Sequence, residues 1–148
     1  MIVMKRVLVA TDFSETSDAA LAYGRSLARQ FGAALHVLHI MDNAFLRPTA
    51  VDPAVIKATA WRALRERVTD SDRNELKAHP VIETSDTPAE AIADYATAAH
   101  IDLVVVGTHG RSGLSRFLMG SVAERVVRIA PCPVLSVHHP EQAVSVTP

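Results

Sequence analysis

Residues 103–129 read LVVVGTHGRSGLSRFLMGSVAERVVRI and contain the most informative pattern in the chain. The apolar run at 103–106 is typical of a buried strand, and the amphipathic run at 122–129 is typical of a helix. The loop between them places Gly107, Gly110, Gly120 and Ser121 in the spacing Gly-x2-Gly-x9-Gly-Ser. Because the first turn of a helix presents unpaired N–H groups and partial positive charge, this loop suits an anion such as phosphate.

The rest of the chain alternates between the same two kinds of segment. Apolar runs predict strands at 7–10, 35–40, 80–83, 102–106 and 133–137. Helical patterns are predicted at 14–31, from 52 to about 70–72, from 87 onward and from 121 onward, the last two each opening on a capping box. This alternation in 148 residues, with 49% apolar and only 5% aromatic residues, predicts a single-domain α/β fold. We expect a five-stranded parallel sheet with helices on both faces.

Composition excludes several classes of protein. A formal net charge of −1 argues against a broad nucleic-acid-binding face. The loop 107–120 is nevertheless locally cationic, since it contains Arg111 and Arg116 and no acid. The single cysteine, Cys132, excludes an intrachain disulfide framework and a multi-cysteine metal site. No apolar run approaches the ~20 residues of a membrane-spanning helix and no signal-peptide pattern stands at the start, so we expect a cytoplasmic protein.

The candidate site lies where the strands end. Ligands of parallel sheets bind outside the carboxyl ends of the strands, and three segments meet there: Thr11 with Asp12, Ile40 with its neighbours, and Gly107 onward. The loop is neither a Walker loop nor a Gly-x-Gly-x-x-Gly fingerprint, and a tight turn without a ligand is the alternative interpretation. Asp12 is interpreted either as a turn or cap residue, or as a carboxylate for ribose hydroxyls or a metal ion.

Four other side chains in or beside the loop also have more than one interpretation. The Ser121 hydroxyl is expected to cap the N–H of Glu124, to donate to a phosphate, or to do both. Arg111 and Arg116 are interpreted as phosphate ligands, as solvated charges or as partners in dimer salt bridges. His109 lies inside the motif, where it contributes backbone contacts or lines the ligand. The remaining histidines form no convincing metal set, since His36 and His39 point to opposite faces of a strand.

Several blocks of the chain resemble the universal stress proteins. They are KRVLVATDFS at 5–14, HIMD at 39–42, GTHGRSG at 107–113, GSVAERV at 120–126 and APCPVL at 130–135. The resemblance runs from residue 5 to about 137, and it implies a Rossmann-like domain over 1–140, related to the adenine nucleotide alpha hydrolases, with strand order 3-2-1-4-5. The composition of the last residues predicts a loose tail at 141–148. Where members of this family carry a glycine before the third helix, this chain has Ser-Asp-Thr-Pro at 85–88.

The resemblance also implies a ligand and an assembly. One branch of the family binds ATP through the spacing found here, with Mg²⁺ expected beside the phosphates and Asp12 as a candidate metal ligand. The implied contacts are Asp12 and Gly107 on the ribose, Thr11 and the backbone of Ile40 on the adenine, and Gly110, Gly120, Ser121 and Val122 on the phosphates. Members form homodimers, often through the last strand, which here begins at Pro133 and ends at Val137.

Three functions follow as hypotheses. The first is an ATP-binding, homodimeric stress-response protein of the cytoplasm that senses or carries nucleotide. The second is a slow ATPase or phosphotransfer enzyme, for which the sequence offers no identifiable base. The third is a dimeric interaction scaffold whose nucleotide site is vestigial.

Overall fold

The computed structural model describes residues 1–43, 51–108 and 119–138. Strands and helices alternate along the chain, with one additional helix between the second and third strands. The elements are β1 (Arg6–Ala10), α1 (Glu15–Phe31), β2 (Ala34–Met41), α2 (Pro53–Arg67), α3 (Asp70–Leu76), β3 (His79–Thr84), α4 (Pro88–Ala98), β4 (Leu103–Gly107), α5 (Ser121–Ile129) and β5 (Val134–Val137).

The strands form one parallel sheet in the order β3-β2-β1-β4-β5, as predicted. Val9 in the central strand β1 pairs with Val37 of β2 on one side and with Val105 of β4 on the other. The chain winds outward from β1 in two directions, so a crevice opens where β1 and β4 end. This switch in winding direction is where parallel sheets place their ligands.

Alternate side chains of the strands fill two separate cores, one on each face of the sheet. Val7, Val9 and Val37 pack beneath α1, α2 and α3, together with buried residues such as Leu64. The intervening residues, such as Leu8, pack with α4 and α5 on the other face. Helices on both faces explain why the central strands β1 and β4 are nearly continuous aliphatic runs.

Helix α1 crosses β1 closely and has well-defined ends. The Ser14 hydroxyl accepts the N–H of Ser17 at the start, and Gly32 ends the helix in the left-handed conformation, with φ of 65°. A Cβ atom on Gly24 would overlap Cγ2 of Val9, so only glycine allows this approach of helix to strand.

The prediction of one helix running from 52 to about 70–72 is wrong. Helix α2 ends at Arg67, and residue 70 begins the separate helix α3. Thr69 and Asp72 form a capping box in which each side chain accepts the other residue's N–H. Asp72 is fully buried and also accepts two hydrogen bonds from Arg25, at 2.7 and 2.9 Å, which ties α3 to α1.

The predicted capping box at residues 87–90 does not form. Thr87 precedes α4, but its side chain accepts no N–H of the helix. Glu90 instead pairs with Arg125 of α5, with 2.9 Å between Oε1 and Nε. Within the described parts of the chain, no helix has the length and apolar character needed to cross a membrane.

Candidate functional site

A cleft of about 370 Å³ opens at the carboxyl edge of the sheet. Its wall combines the ends of β1, β2 and β4 with the first turns of α1, α4 and α5. The lining residues are Ala10, Thr11, Asp12, Ser17, Leu38, Ile40, Pro88, Ile92, Val106, Gly107, Thr108, Gly120, Ser121, Val122 and Ala123.

The structure brings most of the predicted site residues together. Those that line the cleft are Thr11, Asp12, Ile40, Gly107, Gly120, Ser121 and Val122. The remaining candidates, His109, Gly110, Arg111 and Arg116, lie outside the described residues.

The turn after β1 is held by its own side chains. The hydroxyl of the buried Thr11 accepts the N–H of Phe13 at 3.0 Å and lies 3.1 Å from Oγ of Ser17. Asp12 is half-buried, and its Oδ1 accepts the N–H of Ser14 at 3.0 Å. Ser14 rather than Asp12 caps α1, so the carboxylate shapes the turn and stands at the wall of the cleft.

Gly107 has a packing role that its place in the motif does not reveal. A Cβ atom at this position would lie 2.8 Å from Cγ2 of Thr16 and 3.2 Å from the backbone nitrogen of Ser17. The missing side chain therefore lets the end of β4 approach the first turn of α1. Because Gly107 also lines the cleft, this contact forms part of the cleft floor.

Ser121 is not the cap that the sequence predicted. Gly120 is the residue at the N-cap, and Ser121 is the first residue of α5. The N–H of Glu124 bonds to the carbonyl oxygen of Gly120, and the Glu124 carboxylate bonds to Arg128. The helix begins one residue earlier than expected because Gly120 is anchored to the end of β4, through its N–H and the carbonyl of Thr108.

The cleft has an apolar part and a polar part. Leu38, Ile40 and Ile92 give it an aliphatic wall. Asp12 is the only charged side chain among the lining residues that the structure describes. The first turn of α5, with the exposed hydroxyl of Ser121, adds donors for an anion at the polar end.

Sequence reasoning missed several residues of the cleft. Thr108 occupies a variable position of the motif and is only 2% exposed. Its N–H donates to the carbonyl oxygen of Val137 in β5 at 2.9 Å. Pro88 and Ile92 reach the cleft from α4. The apolar stripe of that helix was visible in the sequence, but nothing in the pattern indicated which of its residues also meets a ligand.

The histidines of β2 have structural partners. Nδ1 of His36 lies 2.6 Å from the Tyr95 hydroxyl, and its ring stacks on that of His79, with 4.6 Å between centroids. The pKa of His36 is lowered to about 4, mainly because the ring is buried and further because His79 and Arg6 lie nearby. Across residues 1–43, 51–108 and 119–138, no three His, Cys, Asp or Glu side chains group as a metal site.

The chain is similar to known proteins over nearly its whole length. The sequence model of the universal stress protein family matches residues 4–138. A universal stress protein of Methanocaldococcus jannaschii is 31% identical, over 93% of this chain and 84% of its own. The structure of UspA from Lactobacillus plantarum aligns with a TM-score of 0.79 at 27% identity, covering 93% of this chain and all of the other.

Two further solved structures are described as nucleotide complexes. One is a universal stress protein in complex with cAMP, with a TM-score of 0.70, 26% identity, and coverage of 93% and 99%. The other is a universal stress protein of Archaeoglobus fulgidus in complex with dAMP, with a TM-score of 0.63, 26% identity and the same coverage.

Proposed function

Because this chain belongs to the universal stress protein family, we propose that it binds an adenine nucleotide, ATP with Mg²⁺ in the first instance, in the cleft at the carboxyl edge of its sheet. The proposal rests mainly on the groups that the wall of that cleft brings together. The wall joins the Asp12 carboxylate, an aliphatic surface and the N-terminus of α5 in one space.

Each part of the cleft matches one part of the ligand. The aliphatic wall around Ile40 and Ile92 suits the flat apolar faces of adenine. A carboxylate accepts hydrogen bonds from both ribose hydroxyls, which is the role proposed for Asp12. The donors of Ser121 and the first turn of α5 suit the phosphates.

Thr11, Gly107, Gly120 and Val122 complete the described part of the proposed site. His109, Gly110 and Arg111 are proposed ligands as well, and they lie outside the described residues. The donor set fits a nucleotide better than a free metal ion, since the described lining residues offer a single carboxylate. Mg²⁺ is therefore proposed to arrive with the phosphates, with Asp12 as a candidate protein ligand.

The two nucleotide complexes among the structural neighbours support this choice of ligand. Both cAMP and dAMP contain adenine, a sugar and one phosphate, so these neighbours share the chemistry proposed here. We assign no reaction to the site. The described lining residues include no histidine, cysteine or lysine that would act as a base at neutral pH.

We also propose a homodimer formed through β5, in a cytoplasmic stress-response protein whose domain spans 1–140. The segment 141–148 lies outside the described residues. Among the strands that the structure describes, β5 is an edge of the sheet and pairs only with β4. Its half-buried residues Val134 and Leu135 would be covered by a second copy.

Calorimetric titration with ATP and Mg²⁺ tests the proposal. We expect saturable binding by the wild type and at least a tenfold loss in Gly120→Val, because the added side chain stands beside the donors of α5. The φ of −63° at Gly120 is open to any residue, so the backbone is not strained by the change. Ala22→Val on the exposed side of α1 is the matched control. A folded wild type that binds no adenine nucleotide at millimolar concentration contradicts the proposal.

A further inference from the structure

The turn that presents Asp12 contains a strained residue. Phe13 has a φ of 67°, in the left-handed region that bulky side chains rarely occupy. Such a conformation costs roughly 1–2 kcal/mol and persists only where surrounding contacts hold it. Since Phe13 follows Asp12 directly, the contacts that hold Phe13 also set the direction of the Asp12 carboxylate.

Arg67, the last residue of α2, makes two contacts with Phe13 from outside the turn. One guanidinium nitrogen, Nη2, donates to the carbonyl oxygen of Phe13 at 3.1 Å. The guanidinium carbon lies 5.0 Å from the centroid of the Phe13 ring, within the range of a cation–π contact. Nε donates to Asp18 at 2.7 Å and Nη1 to Ala63 at 3.1 Å, which fixes the guanidinium in place.

His39 of β2 supports the same turn from the neighbouring strand. Its ring stacks against Phe13 with 4.2 Å between centroids, and its Nδ1 lies 2.8 Å from the carbonyl oxygen of Thr11. Because a carbonyl oxygen only accepts, Nδ1 carries the hydrogen in this contact. The residues on either side of Asp12 are thus both anchored to groups outside the cleft.

We propose that Arg67 is a positioning residue of the nucleotide site, which holds Phe13 in its left-handed conformation and thereby aims Asp12 into the cleft. This inference rests on the proposed function of the cleft. Arg67 itself does not line the cleft. Arg67 thereby links nucleotide affinity to the position of α2, since a shift of that helix moves the guanidinium away from Phe13.

The test compares Arg67→Met with Arg73→Met. Arg73 is an arginine of α3 that pairs with Asp70 at 3.3 Å, and no described contact joins it to the turn. Calorimetry with ATP and Mg²⁺ is expected to show about a tenfold weaker affinity for Arg67→Met and less than a twofold change for Arg73→Met. Arg67→Lys keeps the charge but not the planar fork, and it is expected to recover only part of the loss.

A second readout needs no ligand. The amides of Phe13 and Ser14 bond to Thr11 and Asp12 within the turn, so their hydrogen exchange reports whether the turn is ordered. We expect exchange at these two amides to rise at least tenfold in Arg67→Met, while exchange in β1 stays within twofold. Unchanged exchange at Phe13 and Ser14 overturns the positioning role, whether or not nucleotide binds. A wild type that binds no nucleotide, with the exchange result as expected, overturns the proposed function and leaves the support of the turn by Arg67 intact.

A coupled substitution separates positioning from simple stabilisation. Glycine adopts positive φ without cost, so Phe13→Gly removes the strain that Arg67 is proposed to oppose. The affinity loss caused by Arg67→Met is then expected to fall from about tenfold to less than threefold. The inference is overturned if Arg67→Met causes the same affinity loss in the wild type and in Phe13→Gly. It is also overturned if Arg67→Met lowers the melting temperature but leaves the affinity unchanged.

Discussion

Gly107 at the end of β4 meets Thr16 in the first turn of α1, where a Cβ atom on the glycine would lie 2.8 Å from Cγ2 of the threonine. This motif glycine, for which the family resemblance implies a ribose contact, is thus also required by the packing of the protein itself. The floor of the cleft and the contact between β4 and α1 depend on the same missing side chain.

Gly107→Ala is therefore expected to destabilise the protein even without nucleotide. The added methyl group forces β4 and α1 apart, at a cost of about 2 kcal/mol in the free energy of unfolding. Gly32→Ala is the control, because nothing lies within 4 Å of its added Cβ and only its φ of 65° opposes the change, at about 1 kcal/mol. Urea denaturation measures both. Equal stability of Gly107→Ala and the wild type would show that the contact is not tight.

Two serines at helix starts are expected to behave differently. Ser14→Ala removes a cap whose hydroxyl accepts the N–H of Ser17 at 3.2 Å, and it should lower the stability by about 1 kcal/mol. Ser121→Ala removes no cap, so its stability should stay within about 0.5 kcal/mol of the wild type. The affinity of Ser121→Ala for ATP should fall severalfold. Thermal unfolding and calorimetry on the two variants provide the comparison, and a stability loss in Ser121→Ala equal to that in Ser14→Ala would contradict it.

His36 is expected to make the protein less stable in mild acid. Its pKa is about 4 in the folded protein and 6.5 in an unfolded chain, so the unfolded state binds more protons between these values. The stability contribution is fully present above pH 6.5 and is lost as the pH falls towards 4. On this basis His36→Gln should lessen the decrease between pH 7 and pH 4 by on the order of 2 kcal/mol.

Denaturation curves at several pH values check this prediction against the wild type. His100→Gln, at an exposed histidine, is the matched control and should follow the wild type. An identical pH dependence in His36→Gln and the wild type would assign the acid sensitivity to other groups.

The dimer proposal predicts an effect of one edge residue. The carbonyl of Pro133 accepts the N–H of Val104 in β4, and that of Val137 accepts the N–H of Thr108, directly after β4. Backbone groups alternate in direction along a strand. The N–H of Ser136 therefore faces the open edge of the sheet. Ser136→Pro removes this donor and should convert a dimer to a monomer, whereas Ser136→Ala should leave the dimer intact. Sedimentation velocity distinguishes the two, and a persistent Ser136→Pro dimer would place the interface elsewhere.

The order of elements was predictable because most strands are short, largely aliphatic runs and each of the predicted helices has its own apolar stripe; β3, which reads HPVIET, gives a weaker signal. The family resemblance supplied the strand order, and the structure confirms it. The separate helix α3 was missed because Thr69 and the acids after it fit the end of one helix as well as the start of another. The capping box of Thr69 and Asp72, together with the buried pairing of Asp72 with Arg25, shows that a second helix starts here.

The candidate site was predictable where residues stand next to the ends of strands, as Thr11, Asp12 and Gly107 do. It was not predictable where tertiary packing decides. Thr108 is buried by the return of β5, and Ile92 meets the cleft only because α4 lies against β2. The role of Arg67 depends on contacts between residues more than fifty positions apart.

The most direct test of the nucleotide site is a crystal structure of this protein grown with ATP and Mg²⁺. We expect density for adenine against Ile40 and Ile92, ribose hydroxyls on the Asp12 carboxylate, and phosphates at the first turn of α5. Nucleotide bound elsewhere, or a cleft filled by the protein's own side chains while nucleotide is absent, would contradict it.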